Sequence, residues 1–450
     1  MAASRHLVVC VDVGSTFTKG ALVDVDAGIL LRTASHPTTL SSDVMDGVDA
    51  VRAALDAGAV ETLACSSAGG GLRLAVVGYE RLVTAEAAFR VGLSAGARVE
   101  HLAAGPMSRA DLDDLEAARP DVVLLVGGTD GGNAETLLHN AAALAGRPVG
   151  VPVVVAGNVD VRDEVVCRLS SAGISVTATS NVLPEIGRLD PLPARLAIRE
   201  VFIRQVIGGK GLSSRADFPA MVRAATPDAV LAGIEVLADG ADGVPGAGDV
   251  LVVDVGGATT DVYSVVTPHG EDATLHKDVV EVLWRGRSVE GDLGMRWGAE
   301  GVVDAAVSER LLDAREAQTL RAEAVRRVTD PAYLPVDDVG RDVDARLGEL
   351  AVTIALRRHA RAARKDLREV ALVVGSGGVL RHATEQRSWR VLAPATGDRA
   401  GGWPLPERAR VVVDRDYVLA AAGLLTQDHP GAAARLVRHG LRGSRTGPGT

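Results

Sequence analysis

Residues 7–26 read LVVCVDVGSTFTKGALVDVD, and residues 250–266 repeat the pattern as VLVVDVGGATTDVYSVV. In each segment a run of β-branched residues is interrupted by a few small residues and then resumes, which predicts a β-hairpin. Two hairpins of one design, far apart in the chain, indicate two related lobes. This repeat decides the fold.

The two segments share polar residues as well as an apolar pattern. When Asp12 is aligned with Asp254, Gly14 falls on Gly256, and a threonine four residues later coincides in both. The residue after that threonine differs, since it is Lys19 in the first segment and an aspartate in the second. Unrelated hairpins have no reason to share these offsets, so we expect the two turns to have a common task.

The first turn has the composition of a phosphate-binding loop. A turn without large side chains lets backbone N–H groups approach phosphate oxygens closely. We therefore expect Gly14, Ser15 and Thr16 to contact the β- and γ-phosphates of a nucleotide. Lys19 would add positive charge. Asp12 at the strand end would hold Mg²⁺ or orient a water molecule, because carboxylate and phosphate oxygens are the usual magnesium ligands.

The second turn is predicted to grip the same nucleotide from the other side. Asp254 would act there as Asp12 does in the first turn, as a metal ligand and catalytic residue. The residues of this turn that we expect to bind phosphate are Gly256, Gly257, Thr259 and Thr260. The paired turns therefore predict an ATP clamp between two lobes, with Asp12, Lys19 and Asp254 as its catalytic residues.

A third glycine-rich segment follows the two hairpins. Residues 375–378 read GSGG at a predicted strand-to-helix turn. Backbone N–H groups at the start of a helix bind anions, so Gly375, Gly377 and Gly378 are expected near the α-phosphate or the ribose.

Composition limits the class of protein. The chain has 450 residues, a formal net charge of −10 and interspersed acidic and basic residues, which argues against nucleic acid or an anionic membrane as a partner. Aromatic residues make up only 3%, so Val, Ala and Leu must fill the core. Three distant cysteines form no CxxC pair, no apolar run is long enough to span a membrane, and no signal peptide is recognised. These features predict a cytoplasmic protein.

The chain is expected to form an α/β fold with four parts. Residues 1–85 would form the first lobe, and residues 86–245, in which helical stretches alternate with short apolar strands, an inserted parallel α/β domain. Residues 246–428 would form the second lobe. Residues 429–450, rich in Gly, Arg and Pro, would be a flexible tail.

The three turn segments, in this order, resemble the phosphate-1, phosphate-2 and adenosine motifs of the actin, Hsp70 and sugar-kinase superfamily. That resemblance implies two ribonuclease-H-like lobes with ATP and Mg²⁺ between them. Further motifs are similar to those of the MutL/GlmL family, the accessory protein encoded with adenosylcobalamin-dependent glutamate mutase. These motifs are CSSAGGGLR (65–73), LVGGTDGGN (125–133), AGN (156–158), TSNVLPEIG (179–187), RSVEGDLGMR (287–296) and YVLAAAGLL (417–425).

The resemblance implies a weak ATPase that reactivates a cobalamin-dependent mutase, with the mutase subunits as partners and a homo-oligomer as a possible form. The alternative is a small-molecule kinase of the same superfamily. An ATP-driven electron donor would need paired cysteines, which this chain lacks. A hydantoinase- or carboxylase-like subunit would not carry the long motifs quoted above.

Three features are open to two interpretations. Residues 127–133 could bind an anion or a partner, or form a tight turn capped by Asp130 or Asn133. The pair Glu290 and Asp292 could reach the site or lie in a solvated turn. Ser66 and its neighbour Ser67 are expected to bind through the backbone rather than as nucleophiles.

Overall fold

The computed structural model describes residues 5–68, 71–79, 88, 91–93, 95–207, 211–267, 285–363 and 366–441. The chain divides into two compact units, and the boundary along the chain falls after Val230. The short segment Val25–Leu30 belongs to the second unit. The described residues form three five-stranded sheets and one two-stranded sheet.

The first unit begins with a sheet that contains the first predicted hairpin. Its strands are β1 (Leu7–Val13), β2 (Phe17–Asp24), β3 (Ile29–Pro37), β4 (Glu61–Ser66) and β10 (Val222–Ala225). The order across the sheet is β10-β4-β1-β2-β3. β1 and β2 are antiparallel, whereas β4 runs parallel to both β1 and β10. The hairpin prediction is therefore confirmed, and a strand from much later in the chain completes the sheet.

The second sheet lies between β4 and β10 in the chain. Its strands are β5 (Leu72–Gly78), β6 (Ala97–Ala104), β7 (Val122–Leu125), β8 (Val153–Val155) and β9 (Val176–Ala178). All its pairings are parallel and the order is β6-β5-β7-β8-β9, a doubly wound arrangement of the 2-1-3-4-5 type. The strand at 72–78 lies before the expected domain boundary at residue 85, and the strand at 222–225 lies inside the expected insertion. The strands of the inserted sheet thus lie between residues 72 and 178, whereas the sequence predicted an inserted domain at residues 86–245.

Seven α-helices lie in the described chain between β3 and β11, and the last of them crosses the boundary after Val230 between the two units. They are α1 (Val44–Ala54), α2 (Arg109–Ala118), α3 (Glu135–Gly146), α4 (Arg162–Ser171), α5 (Pro191–Val201), α6 (Asp217–Met221) and α7 (Thr226–Asp239). The apolar strands of an all-parallel sheet need cover on both faces. One apolar cluster accordingly runs from the strands of the first sheet into those of the second.

The second unit is built on a sheet of the same design as the first. Its strands are β13 (Val250–Val255), β14 (Thr260–Val265), β15 (Arg285–Glu290), β16 (Leu372–Ser376) and β17 (Arg410–Val413), in the order β15-β14-β13-β16-β17. As in the first sheet, the first two strands are antiparallel and the last two are parallel. Both sheets have the strand order 3-2-1-4-5, so the predicted α/β fold with two ribonuclease-H-like sheets and an inserted parallel sheet is confirmed.

The remaining elements of this unit are mostly helical. They are the short hairpin β11 (Gly240–Ala241) and β12 (Val244–Pro245), α8 (Ala299–Ser308), α9 (Ala314–Thr329), α10 (Asp338–Ala363), α11 (Gly378–Arg381), α12 (Glu385–Leu392), α13 (Pro394–Gly397), α14 (Val418–Leu425) and α15 (Pro430–Gly440). Among the described residues, no helix has both the length and the apolar character that a membrane span requires.

The prediction that residues 429–450 form a flexible tail is wrong for Pro430–Gly440, which form the helix α15. This helix begins with a proline in its first turn, where the missing N–H is no loss. Its alanines, Leu436 and Val437 are buried, and Arg435 donates a hydrogen bond to the carbonyl of Ala27 at 3.2 Å. The apolar spacing of the helix outweighs the glycine and arginine content that suggested a tail. Residues 442–450 lie outside the described part.

Asp414, at the end of β17, provides a test of packing in the second unit. Burial raises its pKa to about 6, although its carboxylate accepts N–H bonds from Val418 at 2.9 Å and Leu419 at 3.2 Å. Asp416 also raises this pKa, and Arg381 lowers it. Because the folded state holds the proton more tightly than the unfolded chain, Asp414 stabilises the fold at low pH, and this contribution is lost as the pH rises through about 6.

We therefore expect the wild type to lose about 1 kcal/mol of unfolding free energy relative to Asp414→Asn between about pH 5 and pH 7.5. The asparagine amide does not titrate. The hydrogen bond lost in this variant therefore changes its free energy of unfolding by the same amount at every pH. Urea unfolding of both proteins across this range measures the difference. A difference that is independent of pH would contradict the assignment.

Candidate functional site

The first predicted phosphate loop is a closed turn between β1 and β2. The N–H of Gly14 donates to the carbonyl of Phe17 at 3.1 Å, and Thr38 Oγ1 donates to the carbonyl of Gly14 at 2.8 Å. A Cβ on Gly14 would lie 2.7 Å from the carbonyl oxygen of Phe17. Only glycine fits this position, while Ser15 and Thr16 are exposed at the tip.

The second turn repeats this geometry between β13 and β14. The N–H of Gly256 donates to the carbonyl of Thr259 at 2.9 Å, and a Cβ on Gly256 would lie 2.9 Å from the same oxygen. The segment after β15 fixes the turn, because Met295 N donates to the carbonyl of Gly256 and Arg296 N to that of Gly257, at 2.9 and 2.7 Å. The sequence repeat therefore encodes one turn conformation twice.

Both turns leave backbone donors unused at their tips. Within the described part of the chain, the N–H groups of Ser15, Thr16, Gly257 and Ala258 donate to no other residue. Ser15, Thr16, Gly257 and Ala258 are exposed. Successive free N–H groups on a small-residue turn form a concavity that binds anions, so each turn fits a phosphate group.

Asp12 is held in place within the first unit. It lies directly across from Lys19 in the ladder, with 3.9 Å between Lys19 Nζ and Asp12 Oδ2. Thr226 Oγ1 donates to Asp12 Oδ1 at 2.6 Å, and Cys65 Sγ lies 3.6 Å from the same oxygen. The carboxylate therefore has a cation on one side and hydroxyl and thiol donors on the other.

Asp254 has a different charge environment. Its cross-strand neighbour is Asp261, and two like charges in this arrangement destabilise a ladder. Arg287, on β15, relieves the repulsion by binding Asp261 Oδ1 through Nε at 3.0 Å and Nη2 at 2.7 Å. Arg287 therefore pairs with Asp261 of these two aspartates, whereas Asp12 lies across from Lys19.

Arg287 is the residue that sequence reasoning missed, since the quoted motif contained it without a role. It is 9% exposed, its guanidinium lies over the ring of Tyr263, and its Nη1 is buried with no hydrogen-bond partner in the described part of the chain. The sequence did not indicate a role for Arg287, because this residue lies far from the second turn along the chain. The sequence signal that could have found it is that Asp254 and Asp261 lie opposite each other in the predicted hairpin.

The third segment combines packing glycines with one open position. A Cβ on Gly375 would lie 2.6 Å from Leu392, and one on Gly377, which has φ of 102°, would lie 2.2 Å from the carbonyl oxygen of Val255. Gly378 is exposed and has no atom within 4 Å of its ideal Cβ. Gly375 and Gly377 therefore hold β16 against its neighbours, and Gly378 is the glycine with room for a ligand.

With this geometry established, comparison with known proteins identifies the family. The family model described as MutL protein matches residues 8–441. Protein MutL of Clostridium tetanomorphum is 35% identical over 451 residues, which cover 95% of this chain and 97% of that protein. The chain belongs to the MutL family.

Several solved structures are similar to this MutL-family chain, all at low identity. A nucleotide-free acetone carboxylase structure is 14% identical with a TM-score of 0.40, and covers 94% of this chain and 70% of its own. The activator of 2-hydroxyisocaproyl-CoA dehydratase from Clostridium difficile, with bound ADPNP, is 8% identical with a TM-score of 0.33, covering 96% and 95%. A ROK family glucokinase from Streptomyces griseus, in complex with glucose and AMPPNP, is 15% identical with a TM-score of 0.32, covering 96% and 99%.

The features that sequence left open in this MutL-family chain have structural explanations. Asp130 Oδ1 accepts hydrogen bonds from Asn181 Nδ2 at 2.8 Å and Val159 N at 3.1 Å, and Asn133 Oδ1 accepts from Thr136 N. Asp130 and Asn133 therefore hold residues 127–133 in a tight turn, as the second interpretation expects. Its polar side chains are used to hold the loop.

The other two features are also internal contacts. Glu290 and Asp292 both bind Arg358, with closest distances of 2.7 Å, and burial raises the pKa of Glu290. Ser66 Oγ donates to the carbonyl of Val13 and accepts from the N–H of Ala68. Ser66 supports the end of β1, next to the first turn.

The cysteines of this MutL-family chain give a simple test of the first site. Burial, followed by the charge of Glu61, raises the pKa of Cys10 to about 12, and burial, followed by Asp12, raises that of Cys65. Cys167 is exposed. Because the thiolate is the reactive form, we expect a thiol reagent to label only Cys167 in the native protein and three cysteines after denaturation. Rapid native labelling of Cys65 would contradict the buried setting beside Asp12.

Proposed function

We propose that this MutL-family chain binds Mg-ATP through its two turns, hydrolyses it slowly, and acts as a reactivating accessory protein for an adenosylcobalamin-dependent mutase of the glutamate mutase type. The observation that carries the nucleotide part is the repeated turn with unused N–H groups. An isolated turn of this kind suits many anions, but two in related sheets suit a polyphosphate. The nucleotide-binding part of the proposal does not depend on which mutase the protein reactivates.

Charge supports the same ligand. Lys19 and the turn N–H groups supply positive potential for phosphate oxygens. The carboxylate of Asp254 suits a divalent cation, since Mg²⁺ in proteins takes carboxylate oxygen, phosphate and water ligands. We propose Asp254 and Asp12 as the residues that hold it. Bound Mg²⁺ would neutralise charge that develops on the phosphates during transfer.

The turn N–H groups and Asp12 would contribute to hydrolysis because they are held in fixed positions. Free N–H groups fixed in a closed turn stabilise developing charge without having to reorganise, and the hydrogen bonds of Gly14 and Gly256 hold the turns closed. We propose that Asp12, which accepts a hydrogen bond from Thr226, orients a water molecule. A preorganised but solvent-accessible arrangement of this kind suits slow hydrolysis that is coupled to a conformational cycle.

The accessory role rests on the family. A reactivating protein must release a spent cofactor from a client, and it does so when nucleotide states differ in their affinity for the client. The relative named Protein MutL supports the assignment to a mutase-associated family. We propose that ATP binding and hydrolysis supply the two states.

Calorimetric titration of Mg-ATP, Mg-ADP and magnesium-free ATP into the full chain tests the nucleotide part. We expect Kd values of Mg-nucleotides in the micromolar range, which corresponds to about 8 kcal/mol, and weaker binding without magnesium. Absence of binding at millimolar nucleotide would sink the proposal.

An activity assay tests the accessory part. Inactivated glutamate mutase holoenzyme is incubated with the protein and Mg-ATP, and the recovered mutase rate is compared with that in the presence of a non-hydrolysable analogue. Recovery only with hydrolysable ATP is expected. ADP release that depends on a small-molecule acceptor, with a phosphorylated product, would instead establish a kinase.

A further inference from the structure

Residues 331–339, called here the 331–339 loop, comprise the connection after α9 and the start of α10, and they display aliphatic side chains to water. Leu334 is 68% exposed, Val336 is 86% exposed and Val339 is 75% exposed. Single exposed aliphatic residues are ordinary on protein surfaces. Three within one short loop form a cluster, and clustered exposed apolar groups mark interaction sites.

This loop is held rigidly although its apolar side chains face water. The ring of Tyr333 lies under the guanidinium of Arg326, 4.0 Å from the ring centroid. Arg341 Nη2 donates to the carbonyl of Val336 at 2.8 Å, and Gly340 N donates to Asp337 Oδ1 at 2.8 Å. Two prolines, at positions 331 and 335, restrict the backbone further. A loop fixed in advance loses little conformational entropy when a partner binds.

Ion pairs connect the loop with the second phosphate turn. Arg327 is fully buried, binds Asp344 Oδ1 through Nε at 2.7 Å and donates to the carbonyl of Gly340 at 3.3 Å. The other oxygen of Asp344 binds Arg296 at 3.2 Å. The backbone N–H of Arg296 is the group that donates to Gly257 in the turn. Asp344 therefore joins the base of the loop to the turn that we propose to bind nucleotide.

The charged side chains around the loop include Arg326, Arg341 and Arg387 as well as four carboxylates, so the acidic excess is small. Exposed carboxylates flank the apolar cluster at Asp330, Asp337, Asp338 and Asp342. Arg387 binds Asp338 and Asp342, and Arg341 binds Asp338. The two other carboxylates have no ion pair within the described residues, so the rim has unpaired negative charge. Complementary partners of such a surface carry a basic rim.

We propose that the 331–339 loop is a docking surface for a protein partner that presents an apolar groove bordered by Lys or Arg, and that the Arg296–Asp344–Arg327 contacts link its affinity to the nucleotide bound at the second turn. The proposal rests on the proposed function for the identity of the partner, which would be the client mutase. The proposed apolar and charged contacts of the docking surface do not depend on which protein the partner is.

A random peptide library selected against the full chain tests the surface without a known client. Leu334→Ser, Val336→Ser and Val339→Ser together remove the cluster. The matched control removes three other exposed aliphatic residues through Ile186→Ser, Leu192→Ser and Leu196→Ser. We expect selected peptides to combine apolar and basic residues, and the loop variant to weaken their binding at least about tenfold while the control does not.

Two outcomes would overturn the docking proposal. One is that no peptide distinguishes the loop variant from the control. The other is that wild type forms dimers that the loop variant abolishes, because the surface then belongs to a second copy of the chain. Analytical ultracentrifugation of both variants decides the second point, and unchanged Mg-ATP titration shows that the loop variant is folded.

Titration of a selected peptide with and without a Mg-ATP analogue tests the link. We expect its Kd to change by about fivefold or more in wild type, and this change to disappear in Arg296→Gln. Equal Kd values in wild type would overturn the link. If glutamate mutase fails to bind wild type although peptides do, the proposed client is wrong and the docking surface stands.

Discussion

Replacing Asp12 or Asp254 with asparagine is expected to lower the ATP hydrolysis rate at least about 100-fold, the scale on which a positioned acid–base or charge-stabilising group acts. Asparagine keeps the size of the side chain and an oxygen for the hydroxyl of Thr226, so the turn should keep its structure. It removes the charge that would hold Mg²⁺ or orient water. Steady-state phosphate release at saturating Mg-ATP, with a metal-free blank, measures the effect.

Asp24→Asn is the matched control for this prediction. Asp24 lies in the same hairpin as Asp12 but at the opposite end of β2 from the turn. It should leave hydrolysis within about twofold of wild type, as expected for substitutions outside the site. Equal losses in all three variants would mean that the effect arises from stability, and unchanged hydrolysis in Asp254→Asn would remove the second turn from the site.

Gly377→Ala is expected to destabilise the second unit by about 3 kcal/mol or more, the range of strained backbone and steric conflict. Its φ of 102° disfavours any side chain, and the new methyl group would lie 2.2 Å from the carbonyl oxygen of Val255. The backbone of β13 just before the second turn would have to move. Urea unfolding followed by circular dichroism measures the loss.

The adjacent substitution Gly378→Ala distinguishes a role of residues 375–378 in packing from a role in ligand contact. No atom lies within 4 Å of the ideal Cβ at this position, so the unfolding midpoint should not change. If nucleotide approaches the backbone here, the Kd of Mg-ATP should rise because the methyl group occupies that space. Unchanged stability in Gly377→Ala would refute the packing role, and unchanged affinity in Gly378→Ala would leave residues 375–378 without a role in binding.

Local pattern was sufficient to predict the hairpins. The β-branched runs and the shared offsets of Asp12 and Asp254 predicted the strands, and the structure contains both hairpins, with Asp12 opposite Lys19 in the first. The glycines at 14 and 256 were also predictable, because their position in a tight turn leaves no space for a side chain. These features depend on residues close together in the chain.

Features that depend on distant residues were not predictable. Thr226, far from Asp12 in the chain, fixes its carboxylate, and Arg287 reaches Asp261 from a neighbouring strand. The helix Pro430–Gly440 is a different case, because its apolar spacing is a local pattern that outweighs its glycine and arginine content. For Thr226 and Arg287 the deciding contact is between elements whose pairing only the tertiary fold specifies.

The route of the chain through the first sheet has a consequence for how this protein is made. Strand β4 has β1 on one side and β10 on the other, and the entire second sheet is synthesised between β4 and β10. Until β10 arrives, one edge of β4 has unpaired N–H and C=O groups, which makes it a template for incorrect strand pairing. Closing so long a loop is entropically costly and slow. We therefore expect nascent chains that end before residue 222 to depend on molecular chaperones in the cell and to aggregate during refolding, whereas chains that extend through residue 239 do not.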